Sequence, residues 1–118
     1  MKLSFEGIGQ WAATFACSGV TEGDLVKISA NGTVGACSAG DGFCGQAVSV
    51  ARGGDACAVA LGGMVTAGYF SDSDTAAPAL GWCTLVSDGK GGVKTASTGH
   101  SYLVTEVNTA GKTVTFVL

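Results

Sequence analysis

Residues 102–118, YLVTEVNTAGKTVTFVL, contain the pattern that decides the fold. Two β-forming runs, Tyr102–Val107 and Thr113–Leu118, flank Asn108–Lys112, whose small and polar residues are typical of a hairpin loop. In its first half the second run alternates Thr with apolar residues, as a strand with one buried face does. Its end is wholly apolar, which indicates burial on both faces or contact with a neighbour. We therefore predict a β-hairpin at the C-terminus.

The rest of the chain repeats this design. Twenty glycines and one proline separate short β-rich runs at a spacing on the order of ten residues, and Asn31-Gly32 predicts a type I′ turn. No window of ten residues shows a convincing helical period, and Gln10–Cys17 fits either a turn of helix or an extended arm. We predict an all-β fold, a small barrel or sandwich. The further predicted strands are Leu25–Ser29, Thr33–Ala36, Gly45–Val50, Ala56–Leu61, Met64–Ala67, Cys83–Val86 and Gly92–Thr95.

An internal repeat organises these strands. Gly23–Val34 aligns with Gly81–Val93, and the register continues with Phe43 opposite Tyr102. We predict two pseudo-repeated four-strand units, residues 21–67 and 80–118, joined by the polar loop 68–79. Two such units would close one barrel and hide their edges from each other.

Residues 1–20 lie outside this repeat, so we predict an N-terminal arm before a single β domain of residues 21–118. The arm holds Phe5, Trp11 and Phe15, three of the nine aromatic residues. It either packs on the core or is offered to a partner.

Composition excludes several classes of partner. Hydrophobic residues make up 47% and charged residues 13% of the 118, about half the usual charged fraction of roughly 25%. The net charge is −3 and no basic run occurs, so neither a nucleic-acid-binding face nor a polybasic membrane patch is expected. Because the chain has so few charged residues for its surface, we expect it to self-associate.

Catalytic, metal and cofactor signatures are weak. The five cysteines form no CxxC pair and His100 is the single histidine, so we expect free thiols and no metal site. The motif at residues 7–12, G-x-G-x-x-A, lacks a βαβ unit around it, and Asp72-Ser73-Asp74-Thr75 reads as an acidic surface loop. We predict a protein that is not an enzyme and needs no cofactor.

The N-terminal sequence does not read as a secretory signal, because Glu6 and Gln10 interrupt the apolar run. No stretch approaches the ~20 apolar residues of a membrane span. We expect synthesis in the cytoplasm.

One resemblance adds to these predictions. Gly19–Val26, Asn31–Gly35, Gly45–Val50 and Gly62–Val65 are similar to segments of the small head decoration proteins of tailed phages and prophages. The resemblance covers roughly residues 19–67. It implies a virion protein on the capsid surface, bound to the major capsid protein and to itself, often as a trimer.

The resemblance also gives the arm a role, because an N-terminal arm lies on the capsid in some members. Residues 1–17 would then add a strand to a partner sheet, with Leu3, Phe5 and Ile8 as anchors. Trp11 and Phe15 would be binding hot spots.

Two alternatives stay open. A phage tail or fibre β module would form rings or filaments. A small-ligand or glycan-binding barrel would use Trp82 and Tyr69 as stacking platforms.

Overall fold

The computed structural model describes residues 11–118, which form ten β-strands and no helix. The predicted all-β fold with a barrel is therefore confirmed, and all nine predicted strands overlap observed ones. The strands are β1 (Trp11–Ser18), β2 (Leu25–Ala30), β3 (Thr33–Ala36), β4 (Gly45–Val50), β5 (Ala56–Gly62), β6 (Met64–Gly68), β7 (Gly81–Ser87), β8 (Val93–Thr95), β9 (Ser101–Asn108) and β10 (Thr113–Val117).

The first unit, β1–β5, is a closed five-stranded barrel in the order β1-β3-β2-β4-β5. Strand β1 closes it by pairing parallel to β3, with Cys17 opposite Val34, and antiparallel to β5, with Phe15 opposite Cys57. A barrel of five strands is narrow, and mostly small side chains fill its core. This core comprises Cys17, Val20, Val26, Val34, Ala47, Cys57 and Val59.

The second unit, β6–β10, is a five-stranded sheet in the order β6-β10-β9-β7-β8. Starting from β3, the order of the first unit is β3-β2-β4-β5-β1. Starting from β8, the order of the second unit is β8-β7-β9-β10-β6. The two orders are the same when five is added to each strand number. Just beyond β6, Tyr69 makes a parallel bridge to Val93, and the Phe70 N–H donates to the Val93 carbonyl at 2.9 Å. The sheet of the second unit is therefore curved toward a barrel, whereas the barrel of the first unit is closed.

This topology corrects the predicted organisation. Each unit has five strands instead of four, and each curls on itself, so the two do not share one barrel. Residues 11–18, placed in an arm by the sequence, are the closing strand of the first barrel. Strand β6, placed in the first half, pairs with β10 and belongs to the second.

The predicted turn at Asn31-Gly32 also differs. Only Gly32 has positive φ, +62°, whereas a type I′ turn needs positive φ at both central residues. A register shift between Ile28 and Ala30 accommodates the turn that forms instead.

The two units share a core. Phe43, in the loop before β4, enters the apolar cluster of the second unit and stacks on Tyr102 of β9, with ring centroids 5.0 Å apart. Phe116 of β10 packs against both rings. Backbone hydrogen bonds join the units as well, among them Leu25 N–H to the Gly91 carbonyl at 3.1 Å. The units therefore fold against each other as one body.

Candidate functional site

A row of apolar side chains crosses the outer face of the second sheet. Trp82 of β7 lies opposite Leu103 of β9, Leu103 opposite Val117 of β10, and Val117 opposite Met64 of β6. Residues opposite each other on antiparallel strands share a face, so these four form one continuous line, here called the apolar row. Trp82 is 75% exposed and the other three are half-buried.

Strand alternation explains why this row faces outward. The neighbouring residues Val104, Phe116 and Val65 point the other way and are almost fully buried in the core. In a regular pleated strand, consecutive side chains point to opposite faces. Apolar residues at consecutive positions therefore place one set in the core and leave the other on the surface.

Hydroxyl pairs border the apolar row on the same face. Thr84 and Ser101 hydroxyl oxygens lie 3.2 Å apart, and those of Thr66 and Thr115 lie 2.8 Å apart. Each pair is opposite across its two strands. Each such bond uses one O–H, so the other hydroxyl of each pair still has a donor to offer and this border of the face is polar.

The apolar row ends at a crevice between the first barrel and β6. The crevice has a volume of about 460 Å³, and Trp11, Val48, Ala60 and Met64 are apolar residues of its wall. Its remaining lining residues are Ala12, Gln46, Val65 and Thr66. Since Met64 belongs to both the row and the crevice, the two are one continuous apolar surface.

The position of Trp11 depends on the absence of a side chain at Gly62. It lies opposite Gly62 across β1 and β5, and a Cβ built on Gly62 would overlap with the indole. The ring thus covers the backbone of β5 where it turns into β6. Even so, 59% of Trp11 is exposed, and Val48 beside it is 44% exposed.

Hydrogen bonds from Gln46 stabilise the lining of the crevice. Its buried side-chain amide donates to the Gly23 carbonyl at 3.1 Å and to the Thr66 carbonyl at 2.8 Å. Gln46 lies on β4 and Thr66 on β6, so this bond ties the first barrel to the second sheet. Both amide hydrogens are used, which makes Gln46 a structural residue of this surface.

Glu106 of β9 lies opposite Thr115 and so borders the apolar row, whereas the Lys27–Asp41 ion pair lies on the first barrel. Lys27 Nζ and an Asp41 carboxylate oxygen are 2.6 Å apart at the β2 side of the barrel. This hydrogen bond is the main reason that the Asp41 pKa lies below and the Lys27 pKa above their ordinary values. The apolar row itself contains no charged side chain.

The acidic loop is a turn. One Asp72 carboxylate oxygen accepts the backbone N–H of Asp74 at 2.9 Å and that of Thr75 at 2.7 Å. This Asx-type geometry orders the loop. Within residues 11–118, no group of three His, Cys, Asp or Glu side chains is arranged to hold a metal ion.

All five cysteines are free thiols. Burial raises the pKa of Cys37 and Cys44, and burial together with a hydrogen bond donated to Cys17 raises that of Cys57 to about 11. Thiols with raised pKa are poor nucleophiles, because the thiolate is the reactive form. The cysteines therefore behave as core residues.

The structure describes only some of the predicted arm residues, and these lie in different places. Leu3, Phe5 and Ile8 lie outside the described residues. Trp11 lines the crevice, whereas half-buried Phe15 packs against the core of the first barrel and is not part of the apolar surface. For the glycan alternative, Trp82 is exposed but Tyr69 is buried at 7%, so the two do not form a joint stacking platform.

Sequence reasoning missed Leu103 and Met64 as surface residues. The one available signal was the wholly apolar end of β10, where Val117 turns out to face outward beside buried Phe116. Which of two apolar neighbours faces water depends on strand pairing, which the pattern does not contain.

The part of the chain from Trp11 onward has no helix able to cross a lipid bilayer. Comparisons with protein-family models, with curated proteins and with solved structures give no match.

Proposed function

We propose that this protein is a structural protein of the virion that decorates the assembled capsid of a tailed phage or prophage. The observation that supports this is the continuous apolar surface, row plus crevice, on a chain with only 13% charged residues. The resemblance of residues 19–67 to head decoration proteins supplies the class of partner, the major capsid protein. The location would be the capsid surface, after synthesis in the host cytoplasm.

The physical reason for binding lies in Trp82. An exposed tryptophan flanked by half-buried apolar side chains is the composition of a binding hot spot, where a partner removes the ring from water. Full burial of a large apolar side chain contributes about 1.5–3 kcal/mol. Leu80, 68% exposed and two residues before Trp82, extends the apolar area.

Self-association is part of the proposal. The resemblance implies a trimer, and low surface charge favours contact between copies. Size-exclusion chromatography with light scattering gives the oligomer number directly, with and without capsids. A strict monomer both free and capsid-bound would remove this part of the proposal.

The decisive experiment is co-sedimentation with purified capsids assembled from the major capsid protein of a tailed phage. Trp82→Ala is expected to weaken binding about 30-fold, the loss of a hot spot of about 2 kcal/mol. Phe70→Ala is the matched control, because Phe70 is a 40% exposed aromatic residue outside the row and the crevice. Absence of capsid binding by the unmodified protein, or equal binding by Trp82→Ala, would contradict the proposal.

One observation favours a second candidate, a glycan-binding module. Trp82 is 75% exposed, and an exposed indole is a stacking surface for a sugar ring. Titration with a glycan panel, read by tryptophan fluorescence, would show a saturable change that Trp82→Ala abolishes. Because Tyr69 is buried, Trp82 is the one stacking surface on which this candidate depends.

A further inference from the structure

The tip of the β2–β3 hairpin carries an inference that does not depend on the proposed function. Asn31 and Gly32 are the residues between these two strands, and Asn31 is exposed. We propose that Asn31 is a site of spontaneous deamidation, and that the isoaspartate formed there loosens the closing strand of the first barrel. The modification needs no enzyme and no reagent other than water.

The reaction uses the backbone of the turn itself. The Gly32 nitrogen attacks Asn31 Cγ, the Cγ–Nδ2 bond breaks, and the side-chain amide leaves as ammonia together with the proton of the Gly32 nitrogen. Water then opens the resulting succinimide ring. Attack of water at Cγ gives an ordinary aspartate. Attack at the main-chain carbonyl gives isoaspartate, whose main chain runs through the side chain and is longer by one methylene group.

Glycine at position 32 leaves this attack unobstructed. A side chain on the residue after asparagine shields the attacking nitrogen, and Gly32 has none. Even a Cβ built on Gly32 would meet no atom within 4 Å, so the space around the turn is open. Gly32 also has a positive φ of +62°, which glycine adopts far more readily than other residues. The residue type that the turn requires is therefore the one that exposes Asn31 to attack.

The side chain of Asn31 is free to approach the Gly32 nitrogen. Among residues 11–118, only the backbone of Asn31 is held, because its carbonyl accepts the Thr33 hydroxyl at 3.1 Å while its side-chain amide has no hydrogen-bond partner. The other asparagine of the chain is Asn108. Its Oδ1 accepts the Gly111 N–H at 2.9 Å, and β-branched Thr109 follows it. Asn108 is therefore an internal comparison with a held side chain and a shielded nitrogen.

The Gly32 carbonyl links this turn to the closing strand of the barrel. It accepts the Ala16 N–H of β1 at 3.0 Å. Since Ala16 lies opposite Thr33, this bond stands at the start of the parallel β1–β3 ladder. That ladder has three residue pairs, whereas the ladder between β1 and β5 has six. The β1–β3 side is thus the shorter of the two contacts that close the barrel.

Isoaspartate would displace this carbonyl. The added methylene group lies directly before Gly32 and lengthens the connection between β2 and β3. Because the length of the turn fixes the register of a hairpin, the Gly32 carbonyl cannot stay in line with Ala16 while both strands keep their places. The Ala16 amide then loses its partner, and β1 is held at this end by β5 alone.

Peptide mapping of the full-length protein after incubation at mildly alkaline pH tests the site, because base removes the proton of the attacking nitrogen. Asn31 is expected to convert at least about tenfold faster than Asn108, whose following residue is β-branched. Asn31→Gln is the matched control, since glutamine keeps the amide but has to close a larger ring, and it should stay unmodified. An intact Asn31, or equal conversion of Asn31 and Asn108, would overturn the proposal.

Amide hydrogen exchange by NMR tests the structural effect. In the isolated isoaspartate form, the Ala16 amide should exchange at least about tenfold faster than in the unmodified protein. Val104, buried on β9 of the second unit, should keep its rate and serves as the internal reference. Fresh Asn31→Asp adds the same charge without lengthening the main chain, so its Ala16 amide should stay slow. Equal Ala16 rates in the isoaspartate and unmodified forms, or an equally fast rate in Asn31→Asp, would overturn the proposal.

Discussion

Phe43 and Tyr102, which the sequence alignment of the two halves places opposite each other, stack with ring planes only 12° apart. Phe43 lies in the loop just before β4, whereas Tyr102 lies within β9, and Phe43 reaches across to the second unit. Aromatic residues from both units therefore meet where the two units pack against each other. His100 packs edge-on against Tyr102, with the two ring centroids 4.6 Å apart.

This stack predicts strong coupling between the units. Phe43→Ala should lower the free energy of unfolding by about 3–5 kcal/mol, because it leaves a cavity beside Tyr102 and Phe116. Urea unfolding gives the value, and Phe70→Ala is the exposed aromatic control. In a double-mutant cycle with Tyr102→Ala, the coupling should be about 0.5–1.5 kcal/mol beyond burial. A fully additive cycle would show that the stack contributes only area.

Gly45 predicts a close approach between strands β4 and β5. A Cβ at this position would overlap with the Ala60 carbonyl oxygen and contact Val59. Gly45→Ala should destabilise the protein by about 1–3 kcal/mol, because backbone atoms cannot move aside as a flexible side chain does. Gly42→Ala is the matched control, since a Cβ there meets nothing within 4 Å. Equal midpoints of chemical unfolding for the two variants would contradict the close approach.

The Lys27–Asp41 pair predicts a small pH dependence of stability. Its hydrogen bond lowers the Asp41 pKa below 3.8, so the unfolded chain binds more protons in acid than the folded one. The contribution of Asp41 is therefore present above pH ~3.8 and is lost as pH falls through the folded pKa.

Thermal unfolding between pH 2 and pH 8 tests this pair. Asp41→Asn should lower Tm slightly at pH 7, and its difference from the unmodified protein should shrink below pH ~4. The effect is small because both side chains are partly exposed. Asp74→Asn, in the exposed loop, is the control. A constant difference between Asp41→Asn and the unmodified protein at every pH would mean that the ion pair is not its source.

Thiol reactivity should separate the five cysteines. Cys44 and Cys83 are half-buried, whereas Cys17, Cys37 and Cys57 are buried, and burial raises the pKa of Cys44. With a pKa of about 11, roughly one Cys57 thiol in a thousand is ionised at pH 8. We expect Cys83 to react first with a thiol reagent in the folded protein, and Cys57 to react only on unfolding.

Mass spectrometry of the labelled protein identifies the site. Cys83→Ser should remove the fast phase, while Cys57→Ser should leave it unchanged. Rapid labelling of Cys57 in the folded state would show that the first barrel opens more readily than its core indicates.

Much of the fold was predictable because its signals are local. Alternation in Thr113–Leu118, glycine-rich loops and even spacing all act within a few residues, and each of the nine predicted strands overlaps an observed one. Strand β1 was the exception. Its sequence, WAATFACS, is apolar nearly throughout, and a short run of this kind does not distinguish helix, strand and arm.

The candidate site was less predictable, because it depends on pairs of residues distant in sequence. Trp82 and Met64 join one row only through Leu103 and Val117, and Trp11 reaches the crevice only because β1 pairs with Gly62 on β5. The composition indicated that apolar surface would be exposed. It did not indicate where.

The sequence by itself determined the β class, the places of most turns and the likeness between the two halves, since backbone preference and side-chain alternation are written residue by residue. Only the tertiary structure decided that each half has five strands, that Trp11–Ser18 closes the first barrel, and that one face of the second sheet is apolar on its outside. Those features follow from which strands are neighbours and in what register. Register is set by the packing of the whole chain, and a shift of one residue would exchange the inner and outer faces of every strand involved.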